Sequence, residues 1–359
     1  MFDQLKKTYS GKKVLLTGHT GFKGSWLLRI LSLLGAEVKG YSLEPITSPN
    51  LYEVINGDSL CHSVIANILD KDRFTEEVKA FQPDFIFHLA AQPLVRLSYD
   101  IPVETFEVNA IGTANLLNAL RTVDKPCYSV LITTDKVYHN NEWDYPYREV
   151  DRLGGYDPYS ASKACTELVI DSFRNSFFNV SEYQKHKKAI AVGRAGNVIG
   201  GGDWSKDRLV PDIVKALSQK QTIQVRNPAA VRPWQHVLEP LFGYLLLGAR
   251  LVENPTKYSK AYNFGPYHED TLPVEKMVTL AINAWGSGKF ENIRLENQPH
   301  EASLLKLDIS CAINELKWLP ALSANKAIQL TIDWYKQYYN DPVGTLKLTD
   351  QQITNWGNQ

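Results

Sequence analysis

Short apolar runs alternate with amphipathic stretches through the first half of the chain. Val14-Leu15-Leu16 is an apolar run of strand length. Trp26, Leu27, Ile30, Leu31 and Leu34 then recur at the spacing that gathers side chains on one helix face. Glu37 to Tyr41 reads as a second strand, followed by a loop carrying Pro45, Ser48 and Pro49. Ser63 to Ala66 reads as a third strand, Lys71 to Phe81 as a charged helix and Phe85 to Leu89, after Pro83, as a buried strand. The pattern continues with a long helix over Val103–Leu120, a strand over Tyr128–Ile132, a helix over Pro158–Phe178 and a strand over Ala189–Val192. Strands alternating with helices predict an α/β protein with a doubly wound parallel sheet. Ligands in such sheets lie at the carboxyl ends of the strands.

Beyond Arg194 the alternation breaks at Gly200, Gly201, Gly202, Pro211, Pro228, Pro233 and Pro240. This half reads as a smaller, mostly C-terminal lobe that closes over the cofactor. The expected division is 1–194 for the sheet domain, 195–340 for the lobe with some segments interleaved, and 341–359 for a polar, loosely held tail. Leu241 to Leu247 is apolar but short and reads as a packed helix.

Composition narrows the classes. Among 359 residues, 39 basic and 39 acidic side chains cancel, which argues against bulk binding to nucleic acid or an anionic membrane. Any phosphate binding must be local. Cys61, Cys127, Cys165 and Cys311 form no zinc-like or C-x-x-C grouping, so no metal site is expected and the thiols read as buried or free. The N-terminal lysines lack the apolar region of a signal peptide, and no run approaches the roughly 20 apolar residues that span a bilayer. A cytoplasmic protein is expected.

The first apolar run leads into Thr17-Gly18-His19-Thr20-Gly21-Phe22-Lys23-Gly24. Strand, glycine turn and helix are the context in which such a turn binds a dinucleotide, the alternative being a tight turn before a buried helix. The glycines let the backbone approach a pyrophosphate, and the helix N-terminus holds it. The arrangement predicts a Rossmann-type sheet. The spacing is G-x-x-G-x-x-G. An acidic ribose partner is expected after the second strand; Glu44 is the candidate, a few residues late, with a solvated loop carboxylate as the alternative. No arginine stands there for a 2′-phosphate, which favours NAD over NADP.

Tyr159-Ser160-Ala161-Ser162-Lys163 places a phenol and an ammonium on one helix face. The ammonium is expected to lower the phenol pKa from about 10, making Tyr159 an acid/base group near neutral pH.

With these residues the chain resembles the extended short-chain dehydrogenase/reductase family. The resemblance spans nearly the whole sequence. It rests on Thr17–Gly24, His88-Leu89-Ala90-Ala91-Gln92, Asn109 in Asn109-Ala110-Ile111-Gly112-Thr113, the Tyr159/Lys163 pair and Arg194-Ala195-Gly196-Asn197-Val198. It implies that Tyr159 is the acid/base, that Lys163 binds the nicotinamide ribose, and that Thr134 bonds the substrate oxygen. Gly18 to Gly24, Leu89, Ala90, Ala91, Asn109 and Thr133 would surround the cofactor, with Asn67-Ile68 against adenine.

Thr133-Thr134-Asp135-Lys136-Val137-Tyr138 looks like the Thr-Asp-Glu-Val-Tyr element of nucleotide-sugar 4,6-dehydratases, with Lys136 in the glutamate position. That replacement, Gly200-Gly201-Gly202-Asp203-Trp204, Arg232-Pro233-Trp234-Gln235-His236-Val237 and the continuation from His88 to Ser98 resemble the subgroup acting on CDP-glucose. Oxidation of C4 to a ketone makes the C5 proton removable. Water can then leave from C5 and C6, and hydride returns to C6. By resemblance Asp135 is the acid, and Lys136 is either the base or a cation that stabilises the enolate. Asp135 and Lys136 are neighbours, so the backbone must leave strand geometry for both to reach one sugar. Arg232 and then Arg208 are the candidates for the substrate pyrophosphate. Gln92, Arg96 and Asn197 are further substrate contacts by resemblance, and His300 is a looser one.

Two alternatives remain at this stage: a nucleotide-sugar 4-epimerase, which needs no acid and base at C6 and C5, and a non-catalytic dinucleotide sensor. The resemblance further implies a homodimer, or a dimer of dimers, through the helices near Val103–Leu120 and Pro158–Phe178. It also implies a role in deoxysugar supply for a bacterial surface polysaccharide.

Overall fold

The structure, a computed structural model, describes residues 1–293 and 304–358. Six strands alternate with helices along the first half: β1 (Lys13–Thr17), β2 (Glu37–Ser42), β3 (His62–Ile65), β4 (Phe85–His88), β5 (Cys127–Ile132) and β6 (Lys188–Ala195). A seventh strand, Ala261–Phe264, comes from the second half and pairs with β6. Across the sheet the order is Ala261–Phe264, β6, β5, β4, β1, β2, β3, and every pairing is parallel. The chain winds outward from β1 to β3 and then crosses to β4. The strand order therefore reverses between β1 and β4, where such sheets bind ligands.

Alternation along the strands explains the two cores. Val14 and Leu16 face one side with Trp26, Leu27 and the helix Leu238–Glu253, while Leu15 faces the other with Ile86, Leu116 and Leu117. All are fully buried or nearly so, and each buried aliphatic side chain stabilises the fold by about 1.5–3 kcal/mol. Helices thus cover both faces of the sheet. The apolar run Leu241–Leu247 lies within Leu238–Glu253 and is buried throughout.

The predicted elements recur with small shifts. Lys71–Phe81 is a helix with those bounds. Its N-cap is Asp70, which accepts from the Arg73 amide. The long helix expected over Val103–Leu120 runs from Pro102 to Leu120, with a wider π turn at Glu107–Ile111. There the Asn109 carbonyl accepts from the Thr113 and Thr166 hydroxyls, at 2.7 and 2.9 Å. The helix Pro158–Ser176 packs beside it.

The tail is a correction. Residues beyond Asn340 form the helix Thr345–Gly357, which is tied down. Trp356 stacks on Phe242 with centroids 4.3 Å apart and donates its Nε1 hydrogen to Glu239 at 3.0 Å. Asp350 pairs with Arg29 at 2.6 Å. Polar residues dominate the sequence there because one helix face is solvated and the buried face itself sets Thr345, Thr349 and Gln352 beside Ile353 and Trp356. All four cysteines are free. Among the described residues no helix is long and apolar enough to cross a membrane, and no side-chain cluster suits a metal.

Candidate active site

A cleft of about 1310 Å³ opens over the carboxyl ends of β1, β4 and β5 and runs into the second half. The glycine turn forms one wall. Gly18 has φ +76°, and a Cβ there would meet the Ala90 amide nitrogen at 2.7 Å. A Cβ at Gly24 would meet the Gly18 carbonyl at 1.9 Å. Both glycines are required by packing of the turn itself. Gly21 is different: its Cβ would meet only the Gly18 carbonyl, at 3.5 Å, and the residue lies at the cleft as N-cap of the helix Phe22–Leu33. The open face at Gly21, above the first-turn amides, fits a pyrophosphate and so a dinucleotide.

Leu89, Ala90, Ala91, Asn67, Ile68, Thr20, Phe22, Lys23 and Thr133 also line this end of the cleft. Thr20 bridges Ser42 and the Leu43 carbonyl. Glu44 lies on the cleft two residues past the end of β2. Asn67 turns its side-chain oxygen to the Leu69 amide at 3.0 Å.

The candidate reacting groups converge where β5 ends. Thr134 is extended, and a single 3-10 turn, Asp135–Val137, follows. This turn is the predicted departure from strand geometry, and both Asp135 and Lys136 reach the cleft. Thr134 donates its hydroxyl hydrogen to Asp135 at 2.9 Å, and its interaction with the Tyr159 phenol opposes the rise of that group's pKa. Tyr159 and Lys163 stand one turn apart on the helix Pro158–Ser176. Asp157 caps that helix through the Ser160 amide and hydroxyl, at 2.9 and 2.6 Å, and Pro158 starts it. Lys163 donates to the Ile132 carbonyl at 3.0 Å, which joins the helix to β5.

Burial governs the protonation states. It raises the Asp135 carboxyl above its usual range, against the opposing charge of Lys136 and the Thr134 hydrogen bond. A carboxyl shifted towards its protonated form is the kind of group that gives a proton to a leaving oxygen. Burial lowers Lys163 to about 8, opposed by Glu167. It also lowers Lys23 to about 8; Arg208 and Lys163 add to the effect and Asp135 opposes it. Tyr159 corrects an expectation. Its phenol is pushed up to about 12 by burial, with Asp135 and Asp157 adding and Thr134 and Arg208 opposing. In the free chain desolvation outweighs the tuning expected from Lys163.

Arg96, Asn197, Arg208 and Arg232 line the far end of the cleft. Arg208 is held by Asp203 at 3.0 Å, and Arg96 faces Asp207 at 3.9 Å. Arg232 donates to the Val231 carbonyl at 3.0 Å.

Three predicted site residues have other work. His19 is buried off the cleft: Nε2 meets the Ser63 hydroxyl at 2.8 Å, and a Cβ at Gly40 would strike its ring. Burial lowers it to about 4, so it stays neutral. Asn109 exhausts its amide on Gln92 and Ser162, accepting from the Gln92 amide at 2.9 Å and donating to Ser162 at 2.8 Å. Gln92 bonds Leu94 and Thr105. Asn109 and Gln92 therefore brace the loop after β4 from behind, and neither lines the cleft. His300 lies outside the described residues.

Several residues escaped sequence reading. Arg226 lines the cleft and pairs with Asp207 at 3.3 Å. Trp204, which the sequence offered only as the end of the Gly200–Trp204 motif, lines it also, packed on Trp334, Tyr335 and Tyr338. Behind β5, Glu167 accepts from Thr133 at 2.6 Å and holds Arg194. Glu167 is four residues past Lys163, so helical spacing was the one available signal for it.

A Rossmann-type sheet with a tyrosine and lysine one helical turn apart beside its dinucleotide turn defines the extended short-chain dehydrogenase/reductase class. The profile of GDP-mannose 4,6 dehydratase matches residues 15–331, and the chain belongs to that family. It is 47% identical over 333 residues to the CDP-glucose 4,6-dehydratase of Salmonella typhimurium, covering 93% of each chain. It is 24% identical to the UDP-glucose 4-epimerase of Mycoplasma pneumoniae, covering 91% of this chain and 98% of that one. Among solved structures, a dTDP-glucose 4,6-dehydratase from Streptomyces venezuelae superposes with a TM-score of 0.76 at 22% identity, covering 92% of this chain and 99% of that chain.

Proposed function

We propose that this enzyme is a hydro-lyase that converts CDP-glucose to CDP-4-keto-6-deoxyglucose with NAD. The observation that carries the reading is the buried Asp135, whose carboxyl is raised above its usual range beside Thr134 and Tyr159. A 4-epimerase has no use for an acid at C6. The 47% identity to a CDP-glucose 4,6-dehydratase supports the same reaction and the cytidine-linked substrate.

Bound NAD would supply the hydride acceptor for C4 and, once reduced, the hydride donor for C6. The chain's own residues do the rest. Thr134 and Tyr159 bond the C4 oxygen, and Tyr159 takes its proton. The positive charges of Lys163 and Arg208 favour the phenolate. Once C4 is a ketone, the C5 proton is acidic. Lys136 faces it either as the base or as the cation that stabilises the enolate. Asp135 protonates the departing C6 oxygen. Arg208, Arg232 and Arg96 hold the substrate pyrophosphate, with Arg226 beside them. Glu44 bonds the adenosine ribose.

The exposed apolar side chains on the two long helices support a homodimer through that face: Val103 is 65%, Ile111 52% and Leu168 60% exposed. A cytoplasmic setting agrees with four free thiols.

The test is incubation with CDP-glucose and NAD followed by mass analysis of the sugar nucleotide. The reading predicts loss of one water without accumulating NADH, abolished in Tyr159→Phe. An unchanged mass with an isomerised sugar would favour the epimerase. Bound cofactor with no turnover of any sugar would favour the sensor.

A further inference from the structure

We infer that Tyr335 is a positioning residue for the substrate-phosphate arginine Arg208, acting through Asp203. The inference rests on the proposed role of Arg208.

Arg208 reaches the cleft from a loop, as N-cap of the helix Leu209–Ser218. A guanidinium on a loop must be aimed before it can grip a phosphate. Its aim comes from Asp203, whose Oδ2 accepts from Arg208 Nη1 at 3.0 Å. Asp203 Oδ1 accepts from the Ser205 amide at 3.0 Å, so the carboxylate is fixed at both oxygens.

What fixes the Asp203 backbone lies far away in sequence. The Tyr335 hydroxyl accepts from the Asp203 amide at 3.0 Å and donates to the Asp203 carbonyl at 2.5 Å. One phenol thus satisfies both peptide groups of a residue outside any helix or strand. Tyr335 is fully buried on the helix Ala324–Asn340 and does not line the cleft. The turn before Asp203 is shaped to the same helix. A Cβ on Gly201 would meet the Trp334 ring at 2.0 Å, and Gly202 has φ +85°. The Gly200–Gly202 turn therefore delivers Asp203 to Tyr335, and Tyr335 fixes the loop from which Arg208 extends.

Burial holds the phenol protonated, which keeps its donor available. Tyr335→Phe removes both bonds and keeps the ring.

The experiment is a double-mutant cycle on the holoenzyme, reading KM for CDP-glucose, kcat, and the affinity for CDP by calorimetry. Tyr335→Phe is expected to raise KM and weaken CDP about five-fold, with a smaller fall in kcat because Arg208 also favours the Tyr159 phenolate. In an Arg208→Ala background the same change should shift KM little, because both act through one contact. An equal rise in both backgrounds, or an unchanged KM in Tyr335→Phe while Arg208→Ala raises it, would overturn the inference alone. An unchanged KM in Arg208→Ala would overturn the phosphate role of Arg208 and the inference with it. Should Tyr335→Phe fail to fold, Asp203→Asn tests the link from its other end. It keeps both Tyr335 bonds and removes the charge that holds Arg208, so an unchanged KM would again overturn the inference.

Discussion

Glu167 grips Arg194 with both carboxylate oxygens, taking Nε at 2.9 Å and Nη2 at 3.0 Å in a pair that is almost wholly buried. The same carboxylate accepts from Thr133, the residue before Thr134, which is proposed to bond the substrate. Arg194 carries the link on to the Tyr138 hydroxyl at 2.8 Å. The floor of the site is thus one connected set of charges. Arg194→Met would leave Glu167 buried without its partner and destabilise the fold by about 3–5 kcal/mol. The double variant with Glu167→Gln should recover part of that loss. Chemical denaturation of the four proteins measures both, and a loss under about 1 kcal/mol for Arg194→Met would contradict the account.

Lys23 and Lys163 predict the pH dependence of stability in the free chain. Burial lowers both from 10.5 to about 8. Below pH 8 both are charged in the folded and the unfolded chain, and folding bears the full cost of burying them. Between about 8 and 10.5 the unfolded chain binds more protons, so stability rises with pH through that window. Lys23→Met should stabilise the free chain at pH 7 and flatten the rise. Melting temperatures against pH for both proteins test this, and a slope unchanged by the substitution would refute it.

Asp135→Asn tests the acid. The amide is nearly isosteric and can still bond Thr134, but it cannot supply a proton to the C6 oxygen. We expect kcat to fall about 10²–10⁴-fold, with little change in KM. C4 oxidation needs no acid at C6, so absorbance of the reduced nicotinamide should accumulate during one turnover. Wild-type turnover in this variant would remove Asp135 from the mechanism.

The C-terminal helix yields a stability prediction. Glu239, pushed up to about 7 by burial, accepts from Trp356 and from the Ala321 and Leu322 amides. Trp356→Ala removes the stacking on Phe242 and one of these donors. It should destabilise by about 3–5 kcal/mol, read by urea denaturation, whereas a loosely held tail would show no change.

The fold was legible because period and punctuation agree. Val14-Leu15-Leu16, the glycine turn and the spacing of Trp26 to Leu34 each point to one strand–turn–helix unit, and the pattern repeats. That Tyr159/Lys163 and Thr134/Asp135/Lys136 would share one cleft was legible because each group is local in sequence. His19, Gln92 and Asn109 do not line the cleft for a shared reason. Each lies within or beside a motif expected at the ligands, but a motif does not say which way a side chain faces, and these three face inward. The Tyr159 pKa was misjudged because burial cannot be read from a four-residue spacing. Tyr335 and Arg226 were invisible because their contacts join segments far apart in sequence.

The most direct test of the proposed reaction follows one hydrogen. CDP-glucose deuterated at C4 would be converted with unlabelled NAD and the product read by nuclear magnetic resonance and mass spectrometry. The account predicts a 4-keto-6-deoxy product that has lost one water and carries the deuterium on C6 of the same molecule. Deuterium returned to C4 of an isomerised sugar, or released in free reduced cofactor, would contradict it.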